Sequence, residues 1–363
     1  MWITYTIIFV VLLILELVYF KVADKCNIID KPNERSSHST IVLRGGGVIF
    51  AISMVIWFIM ELVQGVQEVQ EYIPFMVGLI LIAGVSFWDD VKSLPDRVRL
   101  IAQFLAMGLA AWGMIQGSEL MALEWYWLVL IGIAALIVFV GATNIINFMD
   151  GINGITAGYS LAVLIPLLAV NDSWFLVGAS GIAEQRVLGS GAGFIESSYL
   201  IVAIIGVLVF CIFNFRPKGK AKCFAGDVGS IGIAFIMLFA IGRLIVQTGD
   251  VTYLILLLVY GVDGCLTICH RIMLHENLGE AHRKHAFQLM ANELKIGHVK
   301  VTLLYMALQL AVSLGFIYLC PDSVAAHWMY FGGAILVLAV AYVLFKKKYY
   351  YLHEEYLASL RKQ

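Results

Sequence analysis

The sequence predicts an all-α, polytopic membrane protein of about eleven transmembrane helices, with its N-terminus outside and its C-terminus inside. Three observations carry that expectation. Hydrophobic residues make up 61% of the chain and charged residues only 13%, with a mean hydropathy of +0.90, well beyond what a water-soluble core requires. Apolar windows close to the ~20 residues that cross a bilayer recur from end to end, with no polar block long enough to form a separate soluble domain. Basic residues gather in alternate connections, as orientation by charge demands. The lipid bilayer is therefore an expected partner and nucleic acid is not; the net charge of −1 says little by itself.

The first apolar run, 2–20, has no preceding Lys or Arg and no small-residue cleavage site, so it is expected to remain as a span rather than act as a secretory signal. Further spans follow at 46–63, 73–88, 98–115, 125–146, 155–170, 199–214, 230–246, 251–270, 300–319 and 328–345. If the first span enters the cytoplasm at Lys21, all of the 24 Lys and Arg residues except Arg186 and Arg243 fall in inner loops or the tail. The outer connections are short and acidic or neutral, apart from 171–198, which is too polar around Glu184, Gln185 and Arg186 to span. Lys346, Lys347 and Lys348, followed by three tyrosines, read as an interfacial anchor for anionic headgroups. The six cysteines show no CxxC pair and read as small apolar filler. No internal repeat is evident. The chain is read as one domain, 1–363, with cytoplasmic loops at 21–45, 89–98, 144–156, 215–230 and 270–299.

With sidedness set, every unusual polar stretch lands on the cytoplasmic face: DKPNERSSHSTIVLRGGG (30–47), FWDDVKSLPDR (87–97), NIINFMDGINGIT (144–156), FNFRPKGKAKCFAGDVGS (213–230) and HRIMLHENLGEAHRKHAFQ (270–288). A charge at the bilayer centre costs about 2.5–3.5 kcal/mol on insertion scales, so ionisable groups at membrane level normally mark function. Five clusters at one interface point to one site. Each also has a plain reading. Asp89 and Asp90 can begin a solvated loop, with Ser93 and Asp96 forming a capping box for the next helix. Asn144 and Asn147 share a helix face, and Gly151 and Gly154 beside Asp150 suit either a turn or a close ligand approach. Gly226 and Gly229 flank Asp227 ahead of Ser230, which reads as the cap of span eight or as an anion pocket with a cation-holding carboxylate. Arg216, Lys218, Lys220 and Lys222 serve as topology signals or as neighbours of that carboxylate. His282, Arg283, Lys284 and His285 are solvated charges or phosphate ligands. Carboxylates, amides and bases together describe a Mg²⁺–phosphate site.

The ordered series DKPNxRxxH, DD at an inner span end, NxxNxxDG, FxGDxGS and a His/Arg-rich last loop resembles the polyprenyl-phosphate N-acetylhexosamine-1-phosphate transferases. It covers residues of about 20 to 300. The resemblance implies transfer of a sugar 1-phosphate from a UDP-N-acetylhexosamine to undecaprenyl phosphate, with Mg²⁺ (or Mn²⁺) and release of UMP, to start a lipid-linked surface polysaccharide. It makes Asp227 a metal ligand with Asn147 as a second. It places Asp89 and Asp90 near the attacking lipid phosphate, and has Asp150 help hold nucleotide or metal. It puts His282, Arg283 and His285 on the sugar or diphosphate, and Arg44, Asn144 and Asn153 are further substrate-binding candidates. Two departures matter. DGING replaces the usual bacterial DGxDG, so Asn153 stands for a carboxylate, as it does in eukaryotic relatives that use UDP-GlcNAc. HRKH lacks the consecutive histidines of the UDP-MurNAc-pentapeptide branch, which favours a GlcNAc-type or deoxy-HexNAc donor.

Direct attack by the lipid phosphate is the expected mechanism. Its second pKa near ~6 leaves it largely dianionic at neutral pH, whereas an ordinary Asp near ~3.9 is a weak base. The alternatives are the phospho-N-acetylmuramoyl-pentapeptide transferase and, from another class, a transporter of an anionic solute. Against a transporter stand the lack of paired repeats and the placement of charges at inner ends rather than the midplane. A homodimer is left open.

Overall fold

The computed structural model describes residues 2–30, 41–172, 193–279 and 282–360. Eleven long helices dominate it: α1 (Trp2–Lys25), α2 (Val48–Gln64), α3 (Ile73–Val91), α4 (Asp96–Ile115), α5 (Trp125–Phe148), α6 (Ile155–Asn171), α7 (Ser197–Asn214), α8 (Gly226–Thr248), α9 (Leu258–Met273), α10 (His298–Leu319) and α11 (Val324–Leu360). Among the described residues, nine helical stretches are long and apolar enough to cross a membrane, while α2 and α6 are apolar but only 17 residues long. The protein is an α-helical, multi-pass membrane protein.

The core is organised around α8. Its sequence is apolar around the whole circumference, and such a helix must be enclosed. Every residue from 228 to 242 is buried, and α2, α3, α4, α5 and α6 pack around it. Lipid tails are as apolar as leucine, so helix association here depends on close packing and on hydrogen bonds between helices. Phe75 lies 4.4 Å from Phe239 and stacks on Phe235, while the Tyr199 hydroxyl donates to the Ile236 carbonyl at 3.0 Å. Further along, the Tyr159 and Tyr260 rings stack at 3.4 Å, and Gln309 accepts from the Tyr159 hydroxyl at 2.7 Å.

Where α2 meets α8 the two backbones touch. A Cβ added to Gly229 would lie 2.6 Å from Gly47 Cα, and one added to Gly47 would overlap Gly229. Overpacking such a contact costs about 1–3 kcal/mol. Gly229→Ala is therefore expected to lower the thermal unfolding midpoint in detergent, and an unchanged midpoint would show that the helices can separate freely.

The all-α class holds, with one small addition: Ile29–Asp30 and Val42–Leu43 form an antiparallel ribbon, Ile29 opposite Leu43 and Asp30 opposite Val42, and Leu43 bridges to Cys223. Three readings of the sequence need correction. The plain alternative, a Ser93–Asp96 capping box, is not formed; α4 starts after Pro95 with no side-chain cap, and Asp89 Oδ1 instead accepts from the Leu94 N–H at 2.5 Å. Span eight begins at Gly226 rather than 230, which places Asp227 inside the first helical turn. The final helix runs on to Leu360, and Lys346 is buried against the protein rather than offered to headgroups. The stretch 31–40, most of DKPNERSSHST, and residues 173–192 of the outer connection lie outside the described residues.

Candidate active site

Five of the polar stretches meet at one end of the bundle, and backbone pairing explains how. The glycine-rich turn after the ribbon runs along the segment before α8: the Phe224 N–H donates to the Leu43 carbonyl (2.8 Å), the Gly46 N–H to Phe224 (2.9 Å) and the Gly47 N–H to Ala225 (3.0 Å). The Arg44 carbonyl accepts from the Tyr19 hydroxyl at 2.7 Å. Arg44 is thereby held over the start of α8, where its Nε reaches Asp90 Oδ1 at 2.7 Å and its Nη2 reaches Asp227 Oδ1 at 3.8 Å. Burial opposes its charge, but Asp90, then Asp227, Asp30 and Asp89, outweigh that and raise the guanidinium above its ordinary pKa.

Asp90 enters from the end of α3. The first backbone N–H groups of a helix have no intrahelical partner, and α8 has no side-chain cap of its own. Asp90 supplies it from a distant part of the chain: Oδ1 accepts from the Asp227 N–H and Oδ2 from the Val228 N–H, both at 2.9 Å. Gly226 has φ +70, and a Cβ there would lie 2.5 Å from Asp90 Oδ2, so this approach requires glycine on both counts. Both Asp90 oxygens are occupied, and the side chain has no exposed surface.

Asp227 is the hub. Its Oδ1 accepts from Asn147 Nδ2 at 3.0 Å and its Oδ2 from Arg99 Nη1 at 3.3 Å. The same Asn147 amide donates to Ser230 Oγ at 2.8 Å. Arg99 also reaches Asp89 Oδ2 at 3.2 Å and pairs with Asp96. Asp150 lines the adjoining cavity of about 310 Å³ together with Asp30, Arg44, Asn147, Asn153 and Asp227. Burial, eased by the Thr156 hydroxyl at 2.6 Å and reinforced by the Asp227 charge, pushes the Asp150 carboxyl up to about 6. A second, more apolar cavity of about 410 Å³ shares Asn147 and is lined by Arg99, Leu100, Gln103, Asn144, Phe148 and His282. Asn144 donates to Gln103 Oε1 at 2.7 Å.

The remaining candidates hold the scaffold. Asn153 Nδ2 donates to the carbonyls of Arg216 and Pro217, both at 3.0 Å, and its backbone N–H donates to His298 Nδ1 at 3.2 Å. Two carbonyl acceptors require a donor, so the amide fits where a carboxylate would be repelled. That accounts physically for DGING in this chain. Of the last-loop candidates His282, Arg283 and His285, His282 alone lines a cavity; burial, then His285, Arg271 and Lys284, push it down to about 3, so it is neutral at physiological pH and offers a hydrogen bond rather than a charge. Arg283 lies 3.6 Å from Glu293 and over the Tyr356 ring, Lys284 pairs with Glu276, and His285 Nδ1 is 3.2 Å from Asp263. Sequence reasoning missed Arg99 because a base at an inner span end counts equally as a topology signal. Its spacing of four from Gln103 on one helix face was the available clue.

Asp227 is surrounded by the Asn147 amide, the Arg99 and Arg44 guanidiniums and the oxygens of neighbouring carboxylates. Among the described residues no group of three or more His, Cys, Asp or Glu side chains forms an all-protein metal cage. That combination fits Mg²⁺, which takes one or two carboxylates and fills its octahedron with water and substrate phosphates. Asp227 and Asp89 are the carboxylates that would hold it, whereas Asn147, expected as a second ligand, turns its amide nitrogen rather than its carbonyl toward Asp227.

A membrane-embedded helical bundle with carboxylates, guanidiniums and an amide gathered at one end is the class of protein this fold and site define. Comparison of the sequence with known proteins is in accord. The pattern of glycosyl transferase family 4 matches residues 72–246. The chain is 26% identical over 287 residues to a probable undecaprenyl-phosphate N-acetylglucosaminyl 1-phosphate transferase of Bacillus subtilis, covering 75% of this chain and 72% of that protein. It is 27% identical over 208 residues to the phospho-N-acetylmuramoyl-pentapeptide-transferase of Thermotoga maritima and 31% identical over 208 residues to that of Thermotoga petrophila, each covering 53% of this chain and 59% of the relative. Over these stretches the chain is similar to glycosyl transferase family 4 and to polyprenyl-phosphate sugar-1-phosphate transferases.

Proposed function

We propose that this protein transfers N-acetylhexosamine 1-phosphate, with GlcNAc 1-phosphate as the first donor group to test, from its UDP ester to undecaprenyl phosphate at the cytoplasmic face of the bacterial inner membrane. A lipid phosphate oxygen attacks the sugar-linked phosphorus, the bond from that phosphorus to the bridging oxygen breaks, and UMP leaves with the oxygen and its electron pair. The observation that carries this reading is the convergence of Asp89, Asp90 and Asp227 with Arg44, Arg99 and Asn147 at one end of the bundle. A site at the membrane boundary meets both a cytosolic nucleotide and a lipid headgroup. With α2 and α6 counted as short crossings, the nine longer stretches become eleven, which puts the termini on opposite sides and, by the distribution of Lys and Arg, the N-terminus outside.

Phosphoryl transfer is catalysed mainly by positioning and charge neutralisation. Arg44 and Arg99 offset phosphate charge, and Asn147 keeps Asp227 oriented. Asp89, bonded to Arg99 and the Leu94 N–H, fixes the Arg99 guanidinium at the edge of the apolar cavity. A bound Mg²⁺ would supply further neutralisation of the diphosphate.

Incubating membranes with labelled UDP-GlcNAc, undecaprenyl phosphate and Mg²⁺ tests the reading: labelled lipid and UMP are expected, and a transporter would yield neither. Running UDP-MurNAc-pentapeptide in parallel separates the two transferase branches. Chelation with EDTA is expected to reduce turnover more than ~100-fold, Mg²⁺ to restore it and Mn²⁺ to substitute, because each fixed charge at such a centre is worth about 10²–10³ in rate. Undiminished turnover in chelator would remove the metal from the mechanism.

A further inference from the structure

Helix α11 is 37 residues long, about 55 Å at ~1.5 Å per residue, whereas a bilayer core is ~30 Å thick. Its last turns therefore leave the membrane as a continuous helix. They lie against the HRKH segment at the side of the site. Lys346, buried to 7% exposure, donates its ammonium to the Lys284 carbonyl and stands 4.6 Å from the Tyr350 ring. Two turns on, His353 Nδ1 is 3.1 Å from Glu293 Oε1, the same oxygen that faces Arg283 Nη2 at 3.6 Å. Tyr356 then presents its ring to the Arg283 guanidinium at 4.7 Å. From the opposite side, Glu276 holds Lys284 and Asp263 holds His285. Arg283, Lys284 and His285 are thus clamped between α9 and α11, and His282, the next residue in the chain, lines the cavity with Arg99 and Asn147.

We propose that the cytoplasmic end of α11, through Lys346, His353 and Tyr356, is a strut that positions the 282–288 segment and thereby sets affinity for the sugar-diphosphate donor. These are positioning residues, because they act through Arg283 and His282 and touch neither cavity. The idea rests on the proposed transfer reaction for its kinetic consequence, though the clamp itself can be tested without turnover. It explains why three bases following a membrane span are not equivalent: Lys347 and Lys348 face outward, while Lys346 is turned into the protein.

The test uses the full-length protein with Tyr356→Ala, Tyr356→Phe, His353→Ala and His353→Gln. Hydrogen exchange of the peptide covering 282–293 is measured without substrates, and KM for UDP-GlcNAc and for undecaprenyl phosphate is measured separately. Loss of a cation–π contact of ordinary strength should raise donor KM by about three- to tenfold. In the two alanine variants we expect faster exchange of 282–293, donor KM raised by that amount, lipid KM and kcat within about twofold, and recovery in Tyr356→Phe and His353→Gln. Unchanged exchange overturns the clamp. Faster exchange with unchanged donor KM overturns its role in donor affinity, and an equal loss of kcat and both affinities would mark general destabilisation and also overturn it. If the wild-type protein makes no labelled lipid, the transferase reading fails while the exchange result still decides whether α11 holds the segment.

Discussion

Asp227→Asn is expected to reduce sugar-phosphate transfer by at least ~10³-fold while leaving the helical bundle intact. The two side chains have the same shape, so the substitution tests charge and ligand chemistry rather than packing. In the wild-type protein Asp227 receives Asn147 on one oxygen and Arg99 on the other, with Arg44 at 3.8 Å. A carboxamide has one acceptor oxygen and an NH₂ group that would face a donor. It also removes the negative charge that offsets two guanidiniums and is the first candidate to hold the divalent ion. Removing one electrostatic group from a transition-state cradle costs about 10²–10³ in rate, and here a ligand is lost as well. The decisive measurement is turnover across a Mg²⁺ titration with the unfolding midpoint followed alongside. A variant within tenfold of wild type at saturating Mg²⁺, with an unchanged midpoint, would end the assignment of Asp227 as the metal ligand.

Much of the architecture was legible because a membrane simplifies the code. Length and apolarity mark each helix, and asymmetry of Lys and Arg orders them, so the eleven long helices fall close to the expected segments. The same asymmetry brought Asp89, Asn147, Asp150 and Asp227 to one end of the bundle, where the structure places them. What stayed hidden was pairing across long stretches of chain. Asp90 and the start of α8 are 137 residues apart, and nothing in either segment names the other. The ribbon of Ile29–Asp30 and Val42–Leu43 was invisible because two-residue strands have no periodicity to read. The HRKH run looked like free cationic surface because its acids, Glu276, Glu293 and Asp263, lie on different elements. Charge counts locate a site; they do not reveal which charges are already neutralised within the fold.

Asp90 shows why that distinction affects mechanism, since adjacent aspartates invite equal roles and the geometry gives them different ones. Asp89 faces the cavity edge through Arg99. Asp90 is enclosed, with Arg44 Nε at 2.7 Å and two α8 backbone N–H groups at 2.9 Å on its oxygens. It caps α8 from outside, as a negative charge at a helix N-terminus should, and in doing so sets the direction of Asp227. The Asp90 side chain has no exposed surface, and three donors already lie on its oxygens. Asp90→Asn must then turn an NH₂ group toward one of three donors, leaving a buried donor unsatisfied at a cost of about 1–3 kcal/mol. The expected result is a lower unfolding midpoint together with a loss of ~10²-fold or more in kcat, because both Arg44 and Asp227 shift. Asp89→Asn should instead reduce kcat at a near-normal midpoint, since its partners lie at the partly open edge of the site. If Asp90→Asn kept full thermal stability and lost only turnover, while Asp89→Asn unfolded early, the two roles would have to be exchanged.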